Sequence, residues 1–322
     1  MKTNFVKKII KKVLGTIPTL LSNEDIRILD RVIHKNYFRR TLFYPEEPHR
    51  TYWERQSYFW DKVACPVRPS KGDIEIYSNF LKWKSQKNHI LILGSTPEVR
   101  DLVSKETNAK IYVADFSYRM PSAMSRFTRN VDVRKETWIK DNWLDLPFPT
   151  KFFDVVLGDV VLHQVTPILE PTLLKKIKYL LKDDGLFITR LFFLDEKFIQ
   201  KDLEDITTQV LSGPFSNEEK ITLLKLQTVW LFSDLKERRF NRRLSEKKFR
   251  ELIDNKKNGI DPILKKVHDV LIIDKDSYRD WSPPDEKELI RILTQYFKIV
   301  ERKSANDYPY SEYFPVAILS PK

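Results

Sequence analysis

Cysteine is almost absent: the 322 residues contain one, Cys65. A single thiol can neither close an internal disulfide nor build a multi-thiolate metal site. That excludes stapled secreted scaffolds, zinc ribbons and iron–sulfur centres, and it points to a reducing, cytoplasmic setting with no metal centre. Glycine is scarce too, with seven residues in the whole chain, so a loop that cradles phosphates on successive glycines has little material to be built from. Long apolar runs of the kind that cross a bilayer, about 18 residues or more, are missing. The start, Met1 to Lys8, lacks the apolar stretch and small-residue cleavage site of a secretory signal. The expectation is a protein that is neither exported nor membrane-spanning.

What is present is the material of a core. Apolar residues make up 41% of the chain, and 7 Trp, 13 Tyr and 20 Phe are spread along it, so the low-hydrophobicity signature of disorder does not apply. The formal net charge of +12 is local: residues 1–40 carry ten Lys+Arg against three Asp+Glu, and Lys236 to Arg250 carry eight against two. A local basic patch suits nucleic acid, an anionic membrane or an acidic partner, and a lysine-rich composition on solvated helices gives the same pattern.

The hydrophobic pattern divides the chain into four parts. Residues 1–87 are read as an N-terminal segment. Phe5, Val6, Ile9, Ile10, Val13 and Leu14 lie on one helical stripe, which leaves anionic membrane contact open for this helix, and a second helix opens at Ser22. An aromatic, proline-punctuated lid with Trp53, Tyr58 and Trp60 follows, then a helix from about Asp73 to Trp83. In residues 88–194 short apolar runs at His89–Gly94, Lys110–Asp115, Phe153–Asp159 and Gly185–Phe193 alternate with helix-compatible stretches. That describes a parallel sheet covered on both faces. Residues 195–282 have helical spacing and are read as a helical cap inserted into the domain. Residues 283–322 resume the rhythm, with a helix opened by Pro283-Pro284-Asp285-Glu286 and strands near Phe297–Glu301 and Phe314–Leu319. The connection between those strands is too short for a crossover helix, so the last strand is antiparallel.

The chemistry sits at the strand ends. The first strand leads into Gly94-Ser95-Thr96-Pro97-Glu98. There Gly94 allows a tight turn, Ser95 or Thr96 can cap the following helix, and Pro97 suits its first position. Such a helix N-terminus welcomes a carboxylate or phosphate. Asp115 closes the second strand, where a carboxylate accepts both hydroxyls of a ribose lying across the strand ends. The second and third glycines of a dinucleotide loop are missing. Asp159 lies at the carboxyl end of a strand, where open parallel sheets bind ligands. His163 is a candidate general base, since an imidazole titrates near pH 6.5, with a packed structural histidine as the other reading. Arg68 and Arg100 are read as surface residues, with a cofactor carboxylate as the alternative partner.

Gly94 to Glu98, Asp115-Phe116-Ser117, Asn142-Trp143-Leu144-Asp145-Leu146-Pro147-Phe148, Phe153-Asp154-Val155-Val156 and Leu181-Lys182-Asp183-Asp184-Gly185 resemble the successive motifs of class I S-adenosylmethionine-dependent methyltransferases. The resemblance covers roughly residues 88–193, and the terminal strand hairpin is also a mark of that family. It implies a doubly wound, mostly parallel, Rossmann-like sheet of seven strands ending in the antiparallel hairpin strand, with S-adenosylmethionine as cofactor and S-adenosylhomocysteine as product. By position it implies that Gly94, with Ser95 and Thr96, holds the methionine part, Asp115 the ribose, and Phe116 an adenine face. Asn142 then reads the adenine amino group with Trp143 beside the ring. Asn142 stands where Asp is commoner, and its carbonyl oxygen accepts the same hydrogen bond.

A sulfonium methyl is already activated, so such an enzyme needs mainly to align a nucleophile and exclude water. The expectation is a methyltransferase acting on a small molecule, with Asp159 and His163 as the candidate catalytic residues. An RNA methyltransferase using the basic segments, or a non-catalytic nucleotide-binding module, are the alternatives. The acceptor atom and the oligomeric state are not written in the sequence.

Overall fold

A computed structural model describes Trp53 and residues 57–85, 87–255, 261–275 and 280–322. The two helices and the basic stretch expected within residues 1–40 lie outside this set. From the aromatic segment it describes Trp53 and a 3-10 helix, Ser57–Lys62. The next helix, α1 (Lys71–Lys82), starts where its sequence supplies a reciprocal cap. The Ser70 hydroxyl accepts from the Asp73 N–H at 3.0 Å while the Asp73 carboxylate accepts from the Ser70 N–H at 2.9 Å.

The central domain then alternates: β1 (His89–Leu93), α2 (Pro97–Glu106), β2 (Lys110–Asp115), α3 (Arg119–Met124), β3 (Glu136–Lys140), β4 (Phe153–Asp159), α4 (Glu170–Leu180) and β5 (Leu181–Arg190). Residues 196–274 follow as α5 (Glu196–Ile199), α6 (Leu203–Ser212), α7 (Asn217–Leu231), a two-residue hairpin β6 (Ser233–Asp234) and β7 (Arg239–Phe240), α8 (Arg242–Asp254) and α9 (Pro262–Asp274). The chain closes with α10 (Glu286–Thr294), capped by Asp285, β8 (Phe297–Lys303) and β9 (Val316–Pro321).

Seven strands form one sheet in the order β3-β2-β1-β4-β5-β9-β8. Neighbours from β3 to β5 are parallel, and β9 runs antiparallel to both β5 and β8. The fold is therefore the doubly wound α/β sheet with an antiparallel final strand. Successive side chains leave a strand on opposite faces, and both faces here are covered. Ile90 and Ile92 pack with Tyr77, Phe80, Val99 and Val103 of α1 and α2. Leu91 and Leu93 pack on the other side with Leu173, Ile177 and Leu293 of α4 and α10. Double coverage is why β1 reads as an unbroken apolar run.

One strand of the seven, β3, was not locatable from periodicity. It pairs with β2 alone and reads Glu-Thr-Trp-Ile-Lys, which looks solvated at both ends. The first of those charges is buried: Glu136 is 1% exposed and Arg100 is fully buried. The guanidinium donates from Nε at 2.9 Å and from Nη2 at 2.6 Å to the two Glu136 oxygens, and from Nη1 to the Pro121 carbonyl at 2.9 Å. Arg100 is thus not the surface residue expected from the sequence. It ties α2, α3 and β3 together and is already committed to a carboxylate.

In residues 196–274, α7 is the axis. Leu223, Leu224, Gln227, Thr228, Val229, Trp230 and Leu231 are all buried, and α6, α8 and α9 pack around it. Phe240 and Phe249 are buried and anchor the basic stretch, while Leu244 is half-buried. Arg238 departs from the solvated-helix reading of this charge. Its side chain is 14% exposed and binds both Glu170 oxygens at 2.6 and 2.7 Å, seating the hairpin on the first turn of α4. Arg239, by contrast, is 67% exposed beside Asp280.

Candidate active site

At the end of β1 the chain turns through Gly94 at φ +90°, a conformation that L side chains rarely adopt. A Cβ built there would sit 3.6 Å from the Trp143 ring, an ordinary contact, so it is the dihedral rather than space that calls for glycine. The Ala114 carbonyl holds this corner, accepting at 2.9 Å from both the Gly94 N–H and the Trp143 Nε1–H. Pro97 takes the first position of α2 as predicted, but neither Ser95 nor Thr96 caps the helix with its side chain. The Ser95 hydroxyl is drawn away by a stronger acceptor: it donates to Asp115 Oδ2 at 2.7 Å. Asp115 is 4% exposed, and its other oxygen accepts from the Ser117 N–H at 3.2 Å.

After β3, Asn142 heads the short turn Trp143–Asp145, its Oδ1 accepting from the Leu144 N–H at 3.0 Å. Asp141, one residue earlier, accepts from the Asn142 N–H at 3.0 Å and sits at the same strand end.

At the end of β4, Asp159 meets a buried arginine from β5. Arg190 Nε lies 2.8 Å from Asp159 Oδ1 and Nη2 lies 3.0 Å from Oδ2. The same guanidinium reaches Asp73 Oδ2 at 3.1 Å and the Pro66 carbonyl at 2.8 Å. Burial pushes the Asp159 carboxyl up to about 6, the Arg190 charge pulling against it. The Tyr77 hydroxyl donates to the Gly158 carbonyl at 2.7 Å, fixing this strand end from α1. Val160, the next residue, adopts φ +49°, a strained state for a β-branched side chain.

These strand ends open into one cavity of about 380 Å³. All the predicted cofactor residues line it: Gly94, Ser95, Thr96, Asp115, Phe116, Asn142, Trp143 and Asp159. They are joined by residues to which no role was given, among them Asp141, Met120, Met124, Gln164, Thr166, Leu169 and Trp281. Trp53 and Trp60, from the expected lid, complete the wall. Trp60 is 3% exposed and packs on Met120 and Met124, so it is core and wall at once. His163 is not among the lining residues. Its ring packs edge-on against Phe192 at 5.0 Å and Phe240 at 6.2 Å between centroids, and it borders a void of only about 10 Å³. Apolar neighbours on the far side of the wall have captured the ring, so the geometry supports the packed reading over the general base. Arg68 makes an ion pair with Glu98 and is 30% exposed; it does not line the cavity either. Among the described residues no cluster of three His, Cys, Asp or Glu is placed to hold a metal ion.

The cavity lies where the strand order reverses between β1 and β4, the crevice in which open α/β sheets bind their ligands. A family profile described as a methyltransferase domain matches residues 94–189, the span from the Gly94 turn to the end of β5. Residues 94–189 are a class I S-adenosylmethionine-dependent methyltransferase domain. S-adenosylmethionine is the cofactor that this methyltransferase domain calls for. No curated protein matches the chain. Among solved structures, one described as a Zn-dependent alcohol dehydrogenase from Rhodobacter sphaeroides is 16% identical, with a TM-score of 0.52 over 84% of this chain and 99% of that one. The Burkholderia thailandensis 1,6-didemethyltoxoflavin-N1-methyltransferase, solved with S-adenosylhomocysteine, is 13% identical, with a TM-score of 0.46 over 85% and 90%. An N-methyltransferase from Bradyrhizobium japonicum, also with S-adenosylhomocysteine, is 11% identical, with a TM-score of 0.41 over 80% and 91%. At these identities the likeness is one of fold.

Signals for the added residues are uneven. Asp141 was visible as the neighbour of Asn142, and Gln164 as the neighbour of His163 in the loop after β4. Trp281 carries no local signal, because the chain between it and β5 is the whole insertion.

Proposed function

We propose that the protein transfers the methyl group of S-adenosylmethionine to a small-molecule nucleophile bound in the cavity at the carboxyl ends of β1 to β4. The carrying observation is that this cavity of about 380 Å³ joins the Asp115, Asn142 and Trp143 wall to a largely apolar one. A volume of this size suits a small ligand. Among the described residues no lysine or arginine lines it, whereas a nucleic acid would bring phosphates that need cations.

The residues present fit the cofactor. The Gly94 to Thr96 turn and the N-terminus of α2 suit the methionine part, whose carboxylate a helix N-terminus favours. Asp115 accepts the ribose hydroxyls in this reading, with Ser95 holding the carboxylate's orientation through its hydroxyl. Asn142 offers its side-chain oxygen to the adenine amino group in this reading, with Trp143 and Phe116 beside the ring. When bound, the sulfonium supplies a methyl carbon that takes a lone pair from the acceptor while the C–S electron pair returns to sulfur. Asp159 faces this space locked to Arg190, so its role is to position charge beside the reaction. His163, outside the cavity, takes no proton. Aligning two reactants in a dry site is the larger part of the barrier reduction.

Calorimetry tests the reading: S-adenosylmethionine and S-adenosylhomocysteine bind, and NAD and NADP do not bind at concentrations that saturate S-adenosylhomocysteine. Preferential nicotinamide binding overturns it. The RNA alternative draws on the exposed Lys236, Arg239, Arg243, Lys247 and Lys248. It predicts tight RNA binding that weakens steeply with salt; weak, salt-insensitive binding rejects it.

A further inference from the structure

Building on the reading of this cavity as an S-adenosylmethionine site, we infer that Asp73 is a positioning residue for the cofactor. Acting through Arg190, it leaves an excess negative charge on Asp159, and that charge makes the protein favour the cationic cofactor over its neutral product. Asp73 belongs to α1, outside the matched methyltransferase domain of residues 94–189. The first ground is a count of charges. One guanidinium serves two carboxylates: Arg190 Nε and Nη2 reach Asp159 at 2.8 and 3.0 Å, and Nη1 reaches Asp73 at 3.1 Å. Its other partners, the Pro66 and Arg68 carbonyls and the Tyr308 hydroxyl, bring no charge. The trio therefore carries one negative charge more than Arg190 neutralises. Arg190 and Asp73 are fully buried, while Asp159 keeps 6% of its side chain exposed and lines the cavity.

The second ground is the way α1 holds the two carboxylates in different states. Asp73 lies in the first turn, where the helix N-terminus favours an anion, and it also accepts from the Ser70 N–H at 2.9 Å. One turn on, the Tyr77 hydroxyl accepts from the Arg190 N–H at 2.5 Å and donates to the Gly158 carbonyl at 2.7 Å, fixing the ends of β4 and β5 together. Asp159 has only the Arg190 donors, so it is the carboxylate that takes up the proton. Burial raises its carboxyl to about 6, with Arg190 pulling down and the charges of Asp73 and Glu98 pushing up. Of the other groups around it, Glu98 on α2 is paired with Arg68, and Asp307 accepts from the Ser70 hydroxyl and the Gly72 N–H. Asp115 and Asp141 at the neighbouring strand ends accept from Ser95 and Asn142. Burial pushes Tyr77, Tyr308 and Cys65 up, which keeps them neutral. Below about pH 6 the trio is neutral, and above it the trio carries its extra charge.

The third ground is position. Gly158 is in register with Leu93, and neighbouring strands lie about 4.8 Å apart, so Asp159 and the Gly94 turn stand side by side. The methionine part assigned to that turn brings its sulfonium next to the charge, where a partly buried attraction is screened less than in water. S-adenosylmethionine and S-adenosylhomocysteine share their ammonium and carboxylate groups, so the ratio of their affinities isolates the sulfonium.

The test is calorimetry of both ligands from about pH 5 to pH 8. In the unmodified protein the affinity of S-adenosylmethionine relative to S-adenosylhomocysteine rises about fourfold over this range, most of it near pH 6. In Asp73→Asn the pair left behind, Arg190 and Asp159, is neutral throughout, so the ratio stays flat at the value the unmodified protein has at low pH. Asp159→Asn leaves Arg190 with Asp73 alone and is flat for the same reason, which keeps the test available if Asp73→Asn does not fold. A purely structural Asp73 would weaken both ligands together and leave the pH-dependent ratio in place. A flat ratio in the unmodified protein, or a rise that persists in folded Asp73→Asn or in Asp159→Asn, overturns the inference. Failure of both ligands to bind the unmodified protein is a different outcome, and it sinks the methyltransferase reading itself.

Discussion

The two walls of the cavity are built by opposite strategies. The cofactor wall is local: Gly94 to Thr96, Asp115 and Phe116, and Asn142 and Trp143 each follow directly on a strand, so their backbone fixes their position. The opposite wall is assembled from distant segments, with Trp53 and Trp60 before the sheet, Gln164 to Leu169 after β4, and Trp281 after the insertion. It is held by two arginines, the first of which also binds the end of β4 beside the cofactor wall. Arg190 links β5 to Asp159 and Asp73, and Arg238 links the hairpin to Glu170. A cradle made of strand ends is stable wherever the sheet is stable, whereas a wall made of remote pieces depends on the groups that pin them.

Removing the pin shared by both walls has the largest expected effect. Arg190→Ala leaves Asp159 and Asp73 as buried carboxylates without their counter-charge, at a cost of about 3–5 kcal/mol, read by urea unfolding. A loss under about 1 kcal/mol would show that the two walls do not share this support. Arg238→Ala sharpens the contrast, because it strands Glu170, whose carboxyl burial already pushes above its ordinary range. About 3 kcal/mol of stability is lost, while S-adenosylhomocysteine affinity in the folded variant stays within about threefold of wild type. An equal loss of cofactor affinity would mean that the insertion also shapes the cradle.

Asp159 supplies a pH test. Its folded value of about 6 lies above the ordinary 3.8, so the folded state binds the proton more tightly and its contribution is fully present below about pH 4. That contribution is lost as pH rises through about 6. The stability of wild type relative to Asp159→Asn therefore falls by about 2–3 kcal/mol between pH 4 and pH 7, measured by urea unfolding at each pH. A rising difference reverses the assignment and makes the Arg190 attraction the larger force.

Asp115→Ala strikes the cofactor wall alone. S-adenosylhomocysteine binding weakens by about 1–3 kcal/mol, the loss of charge-assisted hydrogen bonds, in a variant whose circular dichroism is unchanged. Full affinity in the folded variant removes Asp115 from the ribose role. The smallest effect belongs to the basic stretch: replacing Arg239 and Arg243 together by Gln changes stability by less than about 1 kcal/mol, since exposed charges contribute little each. A larger loss would place these arginines in the fold, as Arg238 is.

How much of this was legible follows the same division. Apolar runs bounded by turn residues marked six of the seven strands, and Asp285 announced its helix through a side chain that caps locally. The cofactor residues were legible for a related reason: each lies within a few positions of a strand end, so sequence spacing and spatial position are nearly the same thing. β3 escaped because Glu136 is buried against Arg100, and a single chain does not show that two charges 36 positions apart neutralise each other. The two readings of His163, base or packed residue, could not be separated in the sequence for the converse reason, since the Phe192 and Phe240 that pack on it come from β5's extension and the hairpin.

The sequence by itself determined the alternating strands and helices, the antiparallel last strand and the strand-end groups of the cofactor wall, because these depend on periodicity and on contacts between near neighbours. The tertiary structure alone decided which charges are buried, that Arg238 and Arg100 hold the fold, that His163 faces away, and that Gln164, Trp60 and Trp281 share one cavity. Those outcomes depend on long-range packing, in which burial sets the cost of an unpaired polar group and therefore which partners must meet.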